Sequence, residues 1–224
     1  MTQERQFQHR NLPDHLADHI VDLLAKGDLS QGERLYEKEL CDRLNVSRIP
    51  LREALRILQA QGVVRTEPNR GTFLTGFDKR DILEAQEVRL SVERIALRRL
   101  LKIVKARPDV LGELDNAIDR MRRAALLKDR LEFCRADLLF HNRLIGLSES
   151  ATLRPVWEVL SRATLVFMMQ EPVLEYNYEA AIEDHARLRK LLEEGRWTPL
   201  DKEILIHITV PMSERAPSAD LVSA

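Results

Sequence analysis

The chain has 224 residues, of which 44% are hydrophobic and 32% are charged. This composition is typical of a folded globular protein and excludes a largely disordered one. The formal net charge is -1, so a globally basic protein is excluded and any surface for nucleic acid must be local. Aromatic residues make up only 5% of the chain, a balance that favours helices over sheet.

The sequence contains neither a candidate membrane span nor a candidate signal peptide. No stretch approaches the roughly 20 apolar residues of a membrane span, and residues 1–10 contain no apolar core of a signal peptide. The two cysteines, Cys41 and Cys134, are too few and too far apart to predict a disulfide framework. We therefore expect a cytoplasmic protein with no membrane partner.

The first third of the chain contains short helical patterns interrupted by turns. Apolar spacing predicts helices at about 14–25, 37–44 and 47–61. Ser47 is a good N-cap for the third helix. Two short runs, 63–66 and 72–75, are rich in β-branched and aromatic residues and flank a Pro/Asn/Gly turn, which predicts a hairpin. Three helices followed by a hairpin form the layout of a winged helix-turn-helix.

The remaining two thirds of the chain show helical periodicity and no convincing strand. We predict six helices, at about 79–104, 108–127, 129–146, 151–169, 174–194 and 199–209. Ser150 is a candidate N-cap, and Thr198 with Pro199 predicts the start of the last helix. The fold class is therefore mainly α. A winged helix-turn-helix domain over 1–76 precedes an antiparallel all-helical bundle over 77–224, whose tail frays from Ser213.

Positive charge is concentrated in the predicted helix-turn-helix. Between Arg43 and Arg70 the sequence has six arginines and only two acidic residues. Arg48, Arg52 and Arg56 recur every four residues along one flank of the third helix. Arginines in this position can bond phosphates or the major-groove edge of guanine. The alternative is a solvated helix face whose charges pair with neighbours such as Glu53.

Three segments resemble the GntR family of bacterial repressors. Residues 32–40 resemble the lead-in to its helix-turn-helix, 46–55 resemble its recognition helix, and 68–71 resemble its wing. The resemblance implies a dimer that binds a palindromic operator in double-stranded DNA, with one recognition helix in each half-site. The implied DNA-binding residues are Lys38, Ser47, Arg48, Pro50, Arg52, Arg70 and Gly71.

Three histidines in the helical bundle suggest a metal site. Asp137 and His141 are four residues apart in one predicted helix, so they project from the same face. A carboxylate and an imidazole at this spacing can hold one metal ion together with His185 and His207 from two other helices. The alternative is that each histidine is an ordinary surface or hydrogen-bonded residue. His15 and His19 have the same spacing, and there we adopt this ordinary interpretation.

Residues 136–141 resemble the Asp-x-x-Phe-His motif of the FCD effector domain, which the FadR-type branch of GntR regulators carries. Glu183-Asp184-His185 and His207 match its remaining ligands, and 87–93 resemble its opening. The resemblance implies that Asp137, His141, His185 and His207 bind a divalent cation whose vacant positions accept the carboxylate of a small organic acid. This donor set suits zinc best, and also nickel or manganese.

Two further residues affect the predicted site. Arg89 either faces the same cavity as an effector-binding partner for the acid or forms a surface pair with Glu93, four residues later. Pro211 follows His207 by four residues and cannot donate a hydrogen bond to its carbonyl. We therefore expect the last helix to end or kink just past His207, which leaves this ligand less firmly held.

The function predicted from the sequence is transcription regulation, as a repressor whose DNA binding responds to a small carboxylate at the metal site. One alternative keeps the DNA binding and makes the metal purely structural. A metal-dependent hydrolase is another alternative, since zinc with open positions can activate water. No separate acid or base residue stands out beside the cluster, and an enzyme would not need the first 75 residues. We therefore expect no enzyme activity.

Overall fold

A computed structural model describes residues 11–170 and 177–210. The chain divides into two compact units, 1–78 and 79–224. Within the described residues, no helix combines the length and the apolar character that crossing a bilayer requires.

The first unit contains three helices and a small antiparallel sheet. The helices are α1 (Leu12–Lys26), α2 (Glu37–Leu44) and α3 (Arg48–Ala60), and the strands are β1 (Arg34–Leu35), β2 (Val64–Glu67) and β3 (Gly71–Leu74). The strand order is β1-β3-β2. This is a winged helix-turn-helix, as predicted. The sequence did not indicate β1, because a strand of two residues carries no periodicity.

The core of this unit lies between α1, α3 and the sheet. Ile20, Leu51, Leu58, Val63 and Leu74 are all fully buried there. Replacing one of these leucines by alanine costs about 2–5 kcal/mol of stability. Because the apolar stripe of α3 packs inward, its opposite face lies in solvent.

Local backbone signals explain where the elements of this unit begin and turn. Asn11 caps α1, since its side chain accepts a hydrogen bond from the Asp14 backbone N at 3.2 Å. Ser47 is the N-cap residue of α3, but its hydroxyl makes no capping hydrogen bond, so the predicted position is right and the predicted bond is absent. In the wing turn, Asn69 and Gly71 have φ of 60° and 105°. At Gly71 this positive φ favours glycine, because residues with a Cβ atom rarely adopt it.

The second unit is a helical bundle. Its helices are α4 (Lys79–Ala106), α5 (Gly112–Leu126), α6 (Arg130–Leu147), α7 (Leu153–Gln170), α8 (Tyr178–Glu193) and α9 (Trp197–Thr209). A short 3₁₀ helix, Pro108–Leu111, occupies the start of the segment predicted as a single helix over 108–127. Buried side chains from the six described helices form the core of the bundle, among them Leu97, Leu100, Phe140, Leu144, Leu188 and Ile204.

The ends of two helices test the cap predictions. Ser150 Oγ accepts a hydrogen bond from the Leu153 backbone N at 3.3 Å, so the predicted cap of α7 is confirmed. The predicted cap at Thr198 is wrong, because α9 begins at Trp197 after an extended Arg196. Pro199 is tolerated because it lies in the first turn, where its missing N–H removes no helical bond.

The last helix ends two residues after His207. α9 stops at Thr209, and Val210 is extended, with φ -99° and ψ 120°. The expectation that the helix ends just past His207 is therefore confirmed. Pro211 itself, the tail from Ser213 and the predicted helix start at 174 lie outside the described residues.

Candidate metal centre and nucleic-acid interface

Four side chains predicted as metal ligands come together in the interior of the bundle. Asp137 and His141 lie on α6, His185 on α8 and His207 on α9. Each offers one ligand atom, and these atoms all lie within 4.8 Å of one another. All four residues are buried. The structure thus brings together residues up to 70 positions apart in the sequence.

Ring nitrogens and carboxylate oxygens face each other at the centre of this cluster. His141 Nε2 lies 3.1 Å from His207 Nε2 and 3.4 Å from one carboxylate oxygen of Asp137. His185 Nε2 lies 3.5 Å from the other oxygen of Asp137. One carboxylate and three imidazoles therefore surround a common point.

The hydrogen bond behind His185 fixes which of its nitrogens carries the proton. His185 Nδ1 lies 2.7 Å from the backbone carbonyl oxygen of Ala181, one turn earlier on α8. A carbonyl only accepts hydrogen bonds, so Nδ1 must donate, and the neutral ring has its lone pair on Nε2. Among the described residues, this buried Nε2 has no hydrogen-bond partner.

Glu93 on α4 approaches the cluster from the other side of His141. One carboxylate oxygen of Glu93 lies 2.6 Å from His141 Nδ1, and the other accepts a hydrogen bond from Arg89 Nε at 2.7 Å. Glu93 is completely buried, with an exposed fraction of 0%. The predicted surface pair of Arg89 and Glu93 thus exists, but it lies in the interior.

Electrostatics keep both carboxylates of this region ionised. Burial by itself raises the pKa of Asp137, but His185 and His141 hold it well below its usual range. Burial likewise raises the pKa of Glu93, and the stronger combined effect of His141 and Arg89 lowers it. Burial lowers the pKa of His141, whereas the Glu93 carboxylate raises it above its usual value.

The chemistry of the cluster fits a divalent cation. Imidazole lone pairs and the ionised Asp137 carboxylate converge in a buried space. This arrangement raises the free energy of the folded state unless a proton or a cation lies among them. His185 Nε2 is such an atom, since among the described residues no donor satisfies it. Three histidines and one carboxylate are ligands that zinc, nickel and manganese accept. The donor set is therefore compatible with a divalent metal site.

Arg89 lies close to this cluster. Its guanidinium carbon is 5.8 Å from the centre of the Trp157 ring, and the His141 ring is 6.2 Å from the same ring. Its Nη2 atom is buried and has no hydrogen-bond partner within the part of the chain that the structure describes. This free donor is available to an anion.

A second group of predicted site residues lies on the solvent face of the helix-turn-helix. Lys38 near the start of α2, and Arg48 and Arg52 in the first turns of α3, are all exposed. In the described chain, neither Lys38 nor Arg48 forms an ion pair. Pro50 is half-buried beside them. The face presents several positive charges around the N-terminal end of α3.

Two arginines of α3 have carboxylate partners. Arg52 Nε lies 3.1 and 2.9 Å from the two carboxylate oxygens of Glu37 on α2. Arg56 Nη1 donates to Glu53 at 2.7 Å, so the predicted alternative of local pairing holds for Arg56. These two pairs are exposed, and pairs of this kind add little stability.

Sequence reasoning missed two residues on or beside this face. Ile49 is 77% exposed next to Arg48, although its side chain is large and apolar. Its position outside the buried stripe of α3 could have revealed it, because an exposed apolar side chain at a helix N-terminus suits a thymine methyl group. Glu37 was not predicted as a partner of Arg52, since no local spacing joins residues 15 apart.

The wing carries the remaining predicted residues. Arg70 lies at the tip of the β2–β3 hairpin, where its Nη1 donates to Glu67 at 2.6 Å. Its guanidinium is also 5.9 Å from the centre of the Phe73 ring. Gly71 follows directly and begins β3. Arg70 thus lies on the turn, and Gly71 is the first residue after it, at the predicted wing.

Comparisons with known proteins match both units. Residues 12–74 match the family described as bacterial regulatory proteins of the gntR family, and residues 84–209 match the FCD domain. The structure is similar to that of McbR/YncC from E. coli, with a TM-score of 0.72 and 22% identity over 88% of this chain and 94% of that chain. At this identity the likeness shows the fold alone.

Curated relatives match over part of their length. An uncharacterized HTH-type transcriptional regulator of Mycobacterium tuberculosis, Rv0043c, is 37% identical over 109 residues, which are 49% of this chain and 44% of that protein. The gluconate operon transcriptional repressor of Bacillus subtilis is 29% identical over 146 residues, or 65% and 59% of the two chains. The chain thus matches about half the length of these relatives.

Both family matches concern regulators rather than enzymes, which agrees with the expectation of no enzyme activity. The FCD match alone covers more than half of the chain. The chain belongs to the GntR family of bacterial regulatory proteins, with an FCD domain as its second unit.

Proposed function

We propose that the protein is a DNA-binding transcription repressor controlled by a small carboxylate that binds at a metal site in the FCD domain. The observation that carries this proposal is the convergence of Asp137, His141, His185 and His207 in the interior of the second unit. Such a buried donor set lies in the same chain as an exposed arginine face on a helix-turn-helix.

The DNA-binding part of the proposal rests on the exposed positive face of α3 and the wing. Arg48 and Arg52 would bind in the major groove, and Arg70 would bind at the minor groove or the phosphate backbone. Lys38, Ser47, Pro50 and Gly71 would complete the contact surface. A homodimer would place one α3 in each half of a palindromic operator. The protein would act in the cytoplasm.

The effector part rests on the metal cluster and Arg89. A bound divalent ion supplies Lewis-acidic positions that a carboxylate can occupy. Beside it, the Nη2 group of Arg89 finds no acceptor among the described residues and can pair with the same carboxylate. Zinc is the first candidate, with nickel and manganese as alternatives. A metal that only stabilises the bundle would need no such free guanidinium donor.

The test combines metal analysis with DNA binding. Protein purified without chelator should contain about one divalent ion per chain and should sediment as a dimer at micromolar concentration. It should select a palindromic sequence from a random library of DNA duplexes. A thermal-shift screen of small di- and tricarboxylates, on protein with and without its metal, should give a metal-dependent stabilisation for some acids.

The same measurements contradict the proposal if they give other results. A monomer that shows no sequence preference would overturn the operator model. Stoichiometric metal without a response to any carboxylate in DNA binding or thermal stability would favour the structural-metal alternative. Protein without metal that gains no stability from added zinc would remove the cluster from the mechanism.

A further inference from the structure

Glu93 on α4 contacts two side chains, Arg89 on its own helix and His141 on α6. Its pair with Arg89 satisfies one carboxylate oxygen through a spacing of four residues in the same helix. The other oxygen binds His141, which is 48 positions away in the sequence. Glu93 is completely buried, so both contacts form in a region with little screening by water. The carboxylate therefore joins Arg89 to one of the four clustered residues.

We propose that Glu93 is a positioning residue of the metal centre, because its carboxylate holds the proton of His141 on Nδ1 and leaves the Nε2 lone pair for the ion. The inference rests on the metal site of the proposed function. His141 Nε2 is the ring atom nearest to His207 and Asp137, at 3.1 and 3.4 Å. Only a ring with its proton on Nδ1 can present Nε2 as a ligand.

A carboxylate at position 93 can accept hydrogen bonds from both Arg89 and His141. Arg89 Nε is always a donor, and His141 Nδ1 must donate if Nε2 is to bind metal. Two donors need two acceptors, and the two oxygens of Glu93 supply them at 2.7 and 2.6 Å. Backbone accomplishes the same task for His185, whose Nδ1 donates to the Ala181 carbonyl. The two histidines are thus oriented by different groups toward the same point.

Glutamine at position 93 has nearly the same shape but offers one acceptor and one donor. If its oxygen faces Arg89, its NH₂ group faces His141 Nδ1, which must then accept a hydrogen bond. The neutral ring would carry its proton on Nε2 and could not bind the ion through that atom. If the amide is reversed, its NH₂ group meets the Arg89 Nε–H in a buried space, which is unfavourable. Glu93→Gln therefore changes the hydrogen bond that positions His141 while it keeps nearly the same side-chain volume in the core.

Asp201 on α9 provides a matched control. It forms an ion pair with Arg94 of α4 at 2.7 Å, so Asp201→Asn also replaces a carboxylate by an amide in a contact between α4 and another helix. Asp201 is not one of the clustered residues. A loss of metal binding that comes only from loosening the bundle should appear in both variants.

The first measurement is zinc affinity of the full-length chain, by titration against a competing chelator. We expect Glu93→Gln to bind zinc about 10–100-fold more weakly than the unmodified protein, the usual cost of losing a group that orients a ligand. Asp201→Asn should bind zinc as the unmodified protein does. Equal affinity in Glu93→Gln and the unmodified protein would overturn the role of Glu93. An unmodified protein that binds no zinc would overturn the metal site itself, so the two failures are distinguishable.

The second measurement reads the position of the proton directly. Nitrogen NMR of the imidazole rings in the zinc-free protein, at alkaline pH where the rings are neutral, distinguishes the two tautomers of His141. We expect a proton on Nδ1 in the unmodified protein and on Nε2 in Glu93→Gln, with His185 unchanged. If Glu93→Gln fails to fold, the spectrum of the unmodified protein decides alone. A proton on Nε2 of His141 in that spectrum would overturn the proposal.

Discussion

Arg52 Nε lies within 3.1 Å of both carboxylate oxygens of Glu37, so the pair joins α3 to α2. The contact uses only the Nε edge of the guanidinium. In the described part of the chain, the two Nη groups of Arg52 have no protein partner. The Arg52 side chain is 60% exposed, so the pair with Glu37 leaves these donors accessible to a bound duplex.

The first prediction concerns Arg52. Arg52→Ala should weaken binding to a duplex selected from a random library by about 1–3 kcal/mol, because a bidentate contact to guanine is lost. Preference for guanine at one position of each half-site should be lost as well. Titration by fluorescence anisotropy, followed by a second selection with the variant, measures both effects. Arg56→Ala is the control, since Arg56 lies one turn further along α3 and is not among the residues expected to contact the operator, so its loss should weaken binding less. Unchanged specific binding by Arg52→Ala would refute the assignment of α3 as recognition helix.

The second prediction separates the two effects of Glu37. Glu37→Gln removes a negative charge that repels DNA phosphates, so affinity for unrelated duplex should rise. It also frees the Arg52 side chain, so affinity for the selected duplex should rise less or fall. The ratio of specific to non-specific affinity, measured at one salt concentration, should therefore decrease. If Glu37 acts only through its charge, both affinities will rise by the same factor. Glu53→Gln provides the matched loss of charge on the same surface.

The third prediction concerns the wing. Arg70 lies at the hairpin tip and is expected to contact phosphate or the minor groove, so Arg70→Ala should weaken binding to all duplexes by similar factors. The plot of log affinity against log salt concentration should become less steep by about one unit. Binding curves for selected and unrelated duplex at several salt concentrations measure this. A large loss of specificity with an unchanged salt slope would mean that Arg70 reads a base.

The fourth prediction concerns the cluster. His185→Ala should abolish stoichiometric zinc and lower the thermal stability of the second unit, because metal binding links three helices. His207→Ala should act in the same direction but less strongly, since α9 ends two residues later. His19→Ala is the control, because His19 is exposed on α1 and should change neither property. Metal analysis and melting curves decide the matter. Variants that keep zinc and melt like the unmodified protein would make the four residues ordinary buried side chains.

Local sequence signals predicted most of the fold. The order of helices in both units and the hairpin of the wing follow from apolar spacing and turn residues. Two of the differences between prediction and structure depend on detail beyond the local pattern. β1 is too short to carry a period, and the first residue of α9 is set by the extended backbone of Arg196 rather than by Thr198.

The sequence predicted the four clustered residues but not the contacts that surround them. Spacing paired Asp137 with His141 and left His185 and His207 as candidate ligands from other helices, and the family resemblance supported all four. Neither source gave Glu93 its contact with His141, because α4 and α6 meet only in the folded chain. Arg89 illustrates the same limit, since the spacing gave its pair with Glu93 but placed that pair on the surface, whereas it lies in the interior. Contacts between helices distant in sequence decide these cases.

The spread of the four clustered residues over three helices has a consequence for shortened forms of the second unit. Asp137, His141 and His185 lie before α9, and His207 lies on α9 itself. A chain cut before Trp197 would therefore keep three of the four donors and would lose His207 together with Ile204, which is buried in the same core. Loss of the metal site and loss of core packing would then occur in one step, so truncation cannot separate the two.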